Sequence, residues 1–136
     1  MLFALASSYT VRYHVSVKAT LIQAAPFAAE WKRHGLTDDD LRELESTVME
    51  RPTAGAVMAG TGGLRKIRFA PASRHTGKSG AFRVCYAFFP AYDTIVFIAL
   101  FAKNETGNMT AAGKAAAKKM IEAFANGLTR QRGPMP

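Results

Sequence analysis

The 136-residue chain has one cysteine, Cys85, so no disulfide can close within it and no cysteine-based metal site can form. Its three histidines, His14, His34 and His75, are scattered without ligand spacing. No metal and no other cofactor is therefore expected. No apolar run approaches the ~18–20 residues that cross a bilayer, so no membrane attachment is expected either. The apolar start, Met1 to Ala6, has no basic region before it and is too short for a secretory signal. A lone cysteine without an export signal fits a cytoplasmic location. Cys85 itself lies inside an apolar strand pattern and reads as a small core or half-buried residue. The most informative absence is of acid: no Asp or Glu stands between Arg51 and Tyr92.

What is present is enough for one packed domain: 49% of residues are apolar and 21% charged. The net charge of +8 is unevenly placed. Residues 1–60 hold 6 Lys/Arg against 7 Asp/Glu, whereas residues 61–136 hold 12 against 3. An excess confined to one half can form a local electrostatic footprint for a polyanion, and RNA is the expected one. Residues 1–14 read as an N-terminal extension with poor order, 15–128 as the folded domain and 129–136 as a tail.

Along the chain, Val15, Val17, Ala19 and Leu21 alternate with polar residues, a strand signal over Val15 to Ala24. Pro26 can open a helix over Phe27 to His34, with Gly35 as its C′ residue. Leu36 to Arg51 is the best-marked helix. Thr37 caps it, Asp40 completes a capping-box spacing, and Leu36 with Leu41 forms a hydrophobic staple. Asp38, Asp39 and Asp40 suit the positive end of its dipole, so capping explains the triplet without a metal. Thr53 to Gly63 is turn-rich, and Gly60-Thr61-Gly62-Gly63 reads as a tight lead-in to a strand over Leu64 to Ala70. A loop over Pro71 to Gly80 precedes a strand over Ala81 to Phe89. The connection Pro90 to Asp93 leads to a strand over Thr94 to Ala102 that is apolar on both faces and should lie centrally. Thr110 caps a last helix to about Asn126, with Ala117, Met120, Ile121, Phe124 and Leu128 facing the core and Gly127 ending it. The order β-α-α-β-β-β-α implies an α+β domain with helices on one face of a small, mostly antiparallel sheet.

Thr76-Gly77-Lys78-Ser79 looks like the end of a phosphate-binding P-loop. The first glycine of that motif would fall on Ala72, and the following segment reads as strand, not helix, so nucleotide triphosphate binding is rejected. The strand patterns say more. Lys66 and Arg68 share one face of their strand and Arg83 lies on the matching face of the next. With the apolar faces turned to the helices, these three would project from an open face and converge on one phosphate. Arg65, Arg74 and Lys78 add to the same basic surface, and lysines of the last helix would help hold an RNA backbone.

At these residues the sequence resembles the HigB branch of the RelE/ParE toxins. The resemblance is carried by residues 60–69 (Gly-Thr-Gly-Gly-Leu-Arg-Lys-Ile-Arg-Phe), Gly77-Lys78-Ser79-Gly80, Arg83-Val84-Cys85-Tyr86 and Lys103-Asn104-Glu105. Residues 36–42 and Pro52 with Gly55 fit too, and it covers about Thr20 to Asn126. It implies a RelE-like fold and a type II toxin held silent by a HigA-like helix-turn-helix antitoxin. It also implies a ribosome-dependent endoribonuclease acting on mRNA. By motif position the basic pair falls on Lys66 and Arg68, the following strand's arginine on Arg83, and the last strand's end on Lys103, Asn104 and Glu105. RelE itself carries an arginine where Asn104 stands and a tyrosine shortly beyond, whereas no tyrosine follows Tyr92 here, so those two roles have no counterpart.

The expected mechanism is attack of an RNA 2′-hydroxyl on the adjacent phosphate. Arg68 and Arg83 would clamp that phosphate. Lys66 would transfer protons, its neutral form favoured by like charge on Arg65 and Arg68. His75 is the alternative proton carrier, and Arg65, Arg74, His75, Lys78, Lys103 and Asn104 are expected to contact RNA. Two other classes compete: a ParE-like poison of DNA gyrase without nuclease action, and a plain RNA-binding module.

Overall fold

The computed structural model describes residues 11–13, 19–74, 81–102 and 109–132. The elements are β1 (Val11–Tyr13), β2 (Thr20–Gln23), α1 (Ala25–Arg33), α2 (Asp38–Glu50), β3 (Ala56–Val57), β4 (Arg65–Phe69), β5 (Phe82–Phe89), β6 (Thr94–Ala102) and α3 (Ala111–Arg132). The expected α+β order is present with two short strands added, β1 and β3. Val11–Tyr13, within the stretch read as an extension, pairs antiparallel with β2. The alternation expected over residues 15–18 lies outside the described residues.

One six-stranded sheet runs β1-β2-β6-β5-β4-β3. Among the described strands only the β2–β6 pair is parallel. β6 and β5 are central, which suits the two-faced apolarity of Ile95 to Leu100, all buried except Ala99. Tyr86 opposes Phe97 while Cys85 opposes Ala99, so Ile98 is an extra residue in β6. This bulge turns Ile98 and Ala99 to the same side of the sheet.

The local signals for α1 and α2 act as the residues dictate. Gly35, at φ 68°, is the C′ residue of α1. Its N–H donates to Lys32 O at 3.0 Å, and the Leu36 N–H donates to Trp31 O at 3.2 Å, a Schellman closure. At α2, the Asp40 N–H donates to Thr37 Oγ1 at 3.1 Å and the Thr37 N–H to Asp40 Oδ2 at 2.9 Å. This reciprocal pair is the capping box. Leu36 and Leu41, the expected staple, are buried in one cluster.

The expectation that the helices share one face of the sheet does not hold. α1 and α2 pack Phe27, Trp31, Leu41, Leu44 and Val48 on Phe69, Phe82, Val84, Tyr86 and Phe97. α3 covers the other face, setting Ala117, Ile121 and Phe124 against Cys85, Ala87, Val96 and Ile98. Small residues on β5, Cys85 and Ala87, let the helix come close there. Nor does Gly127 end α3, which continues to Arg132 with Gly127 buried inside it. The intrinsic cost of a mid-helix glycine, ~1 kcal/mol, is overridden by packing.

Tyr86 locks the α2–β4 connection to the sheet. Its ring is fully buried, its hydroxyl donates to Pro52 O at 2.7 Å, and it accepts the Gly55 N–H at 3.2 Å. A Cβ on Gly55 would stand 2.8 Å from Tyr86 Oη and 2.9 Å from Ile67 Cγ2, so only glycine fits. Tyr86→Phe leaves a buried donor and acceptor without these bonds and is expected to cost about 1–3 kcal/mol, read as a lower urea midpoint at unchanged slope. A midpoint equal to wild type would show that the hydroxyl contributes nothing.

Candidate nucleic-acid interface

β4 and β5 bring the three expected cations to one face. In the register Arg68 stands directly opposite Arg83, and Lys66 opposite Cys85. Directly opposed side chains have Cβ atoms ~4.5–5.5 Å apart, within reach of one phosphate. Ile67, Phe69, Phe82 and Val84 alternate to the other face and into the core. Arg68 is exposed, and Lys66 and Arg83 are half-buried. Among the described residues no carboxylate pairs with any of the three.

This face is the one that α3 crosses, so it is not the open sheet surface that the strand patterns suggest. α3 covers Cys85 and Ala87, while Arg83 and Arg68 lie farther along the strands, toward the β6 end at Phe101 and Ala102. The cation cluster therefore sits at the margin of the helix. Cys85 lies beneath it beside Lys66. Burial pushes the Cys85 thiol up to about 11, although the Lys66 charge pulls the other way. The thiol stays protonated at neutral pH and offers no thiolate nucleophile.

Two of the expected RNA contacts are placed elsewhere. Arg65 alternates to the face opposite Lys66, where its guanidinium donates to Gly55 O at 2.7 Å and Thr53 O at 3.0 Å. It holds the β3–β4 region rather than the cation cluster. Its like charge therefore does not share a face with Lys66, and of the two charges expected to act on that lysine only Arg68 does. Arg74 ends a short turn, Ala72–Arg74, on the α1–α2 side. It donates to His34 O and stacks over Phe82, 5.8 Å from the ring centroid. That turn is pinned by α2: Ser73 Oγ donates to Asp40 Oδ1 at 2.7 Å and the Ala72 N–H donates to Glu43 Oε1 at 3.2 Å. Burial would raise the Asp40 carboxyl, but the bonds from Thr37 and Ser73 and the Arg74 charge outweigh it and hold the group below its usual range. His75, Lys78, Lys103 and Asn104 lie outside the described residues.

The glycine run before β4 is a structural turn. Thr61, fully buried, donates to Met58 O at 2.6 Å and accepts the Leu64 N–H at 3.0 Å. Gly60, Gly62 and Gly63 take φ values of 78°, 73° and 114°, which L side chains rarely adopt. Sequence reasoning did not place Lys118 beside this turn. The signal available was its place on α3, on the flank next to Ala117 and Ile121.

Among the described residues no group of His, Cys, Asp or Glu could hold a metal ion, and no helix is long and apolar enough to cross a membrane. The arrangement can do one kind of chemistry plainly: bind and stabilise a phosphate anion with paired guanidinium donors.

A family model described as the RelE toxin of the RelE/RelB toxin–antitoxin system matches residues 20–131. Among solved structures, a free-state mutant of the E. coli toxin RelE is 17% identical, covering 78% of this chain and 94% of that chain at a TM-score of 0.43.

Proposed function

The chain belongs to the RelE toxin family, and from that premise we propose that it is a HigB-type toxin of a type II toxin–antitoxin system that cuts mRNA on the ribosome. A HigA-like helix-turn-helix antitoxin is its partner. The observation that carries the nuclease reading is the pairing of Arg68 opposite Arg83, with Lys66 on the same face, and no acid joined to them among the described residues.

In the reaction, an RNA 2′-oxygen forms a bond to the adjacent phosphorus as the bond to the 5′-oxygen breaks. The products are a 2′,3′-cyclic phosphate and a 5′-hydroxyl. Arg68 and Arg83 hold the phosphate oxygens as charge builds on them. Lys66 is the proton carrier within the cluster, moving a proton at the 2′-oxygen or the departing 5′-oxygen. The ribosome supplies the geometry of the strand on which this cluster acts. His75 is the second proton carrier to test.

Induced expression followed by primer extension on a translated message tests the proposal. In-frame cuts within the translated region are expected. DNA breaks with intact message would instead indicate a gyrase poison, and neither outcome would indicate a plain RNA-binding module.

A further inference from the structure

The flank of α3 nearest β4 is marked by Lys118. A Cβ on Gly62 would stand 3.2 Å from Lys118 Cγ, 3.9 Å from its Cβ and 4.0 Å from its Cδ. The methylene stem thus rests on the glycine, and the ammonium is carried past it into solvent. Lys114, one turn earlier, lies on the same flank and is half-buried.

The direction of α3 sets where this flank leads. Its C-terminal part lies at the β5–β6 connection, where Tyr92 Oη and Thr129 Oγ1 are 3.1 Å apart. Its N-terminal half therefore lies toward the opposite end of the sheet, where Arg83 stands between Arg68 and Phe101. Going from Lys118 to Lys114 thus runs the same way as going from Lys66 to Arg68. Two rows of cations flank one strip, one on the helix and one on the sheet. Glu122, one turn beyond Lys118 toward the C-terminus, is the next charge on that flank and marks where the strip ends.

Resting on the reading that this face handles RNA, we propose that the strip between β4 and the N-terminal half of α3 holds the sugar–phosphate backbone flanking the cleaved phosphate. Lys114 and Lys118 form the wall opposite Lys66 and Arg68. The occupant is single-stranded RNA, because both walls are cationic and a single strand's phosphates recur along such a strip. The exposed glycines at 60, 62 and 63 carry no side chain to bar its approach.

The test uses the purified full chain and a short single-stranded RNA with methylated 2′-hydroxyls, followed by fluorescence anisotropy over a salt series. Methionine keeps the unbranched stem, which at 118 packs on Gly62, and removes the charge. Lys114→Met with Lys118→Met is expected to flatten the slope of log affinity against log salt by about 1.4, ~0.7 per phosphate contact. Arginine at both positions should restore it. Lys32→Met, an exposed charge on α1 across the sheet, should leave the slope unchanged. An unchanged slope in the double variant, or an equal loss per charge from Lys32→Met, would overturn the proposal.

Cleavage separates this inference from the nuclease reading beneath it. On ribosomes carrying a translated message, the double variant should raise KM with kcat retained at saturating message. If the slope falls as expected yet a folded Arg83→Ala protein cleaves fully, the catalytic assignment fails and the backbone track stands.

Discussion

Replacing Arg83 with alanine is expected to lower RNA cleavage by about 10²–10³-fold, the usual loss when one charged donor to a transition-state oxyanion is removed. Growth arrest on induction should disappear with it. The protein should fold as before, because the Arg83 side chain is half-buried and makes no hydrogen bond or ion pair with another described residue, while its backbone stays in the β5 ladder. Antitoxin binding should therefore persist, and this separates a lost chemical group from a lost fold. Arg83→Lys should recover only part of the activity, since an ammonium cannot present two fixed donors to one phosphate. Full toxicity from a folded Arg83→Ala protein would remove the assignment.

The largest loss of stability is expected at Phe27. Its side chain is fully buried, with ring centroids 5.5 Å from Trp31 and 5.3 Å from Phe97. It therefore joins α1 to the central strand β6. Phe27→Ala removes that contact and leaves a cavity between two stacked rings, at a cost of about 3–5 kcal/mol. Against a total of ~5–15 kcal/mol for a domain, this should leave much of the chain unfolded near 37 °C. Urea denaturation followed by circular dichroism measures it. A loss below about 1 kcal/mol would mean that Trp31 and Phe97 close over the gap. Activity should fall with folding in this variant, in contrast to Arg83→Ala.

Much of this was legible in local chemistry. Thr37 with Asp40, Gly35 after α1, and Thr110 before α3 are residues whose side chains or conformations satisfy groups a few positions away. Thr110 Oγ1, for instance, accepts the Gly113 N–H at 3.0 Å. Such signals depend on little else in the chain. The shared face of Lys66, Arg68 and Arg83 was legible for a similar reason, because period-two alternation assigns each residue to a face, whereas the register that sets Arg68 opposite Arg83 was not.

What was not legible depends on contacts distant in sequence. Ala117, Ile121 and Phe124 identify a helix with a core-facing side, but periodicity does not say which face of the sheet receives it. The pattern of β6, apolar on both sides, was consistent with cover on both. Gly127 resembles a helix end until the packing around it is known. Arg65 stands next to Lys66 in sequence, yet strand geometry sends it to the other face, where two carbonyls from the α2–β4 connection hold it. β3 has only the two residues Ala56 and Val57, too short for an alternating pattern to show.

The most direct measurement follows the arginine side-chain Nε–H signals by NMR while a 2′-methylated RNA strand is added. Arg68 and Arg83 should shift together along one binding curve with a common midpoint, as two donors to one anion must, while Arg65 should stay where its carbonyl partners hold it. If Arg68 and Arg83 respond with different midpoints, or only one responds, the cations do not share a phosphate and the nuclease account is wrong.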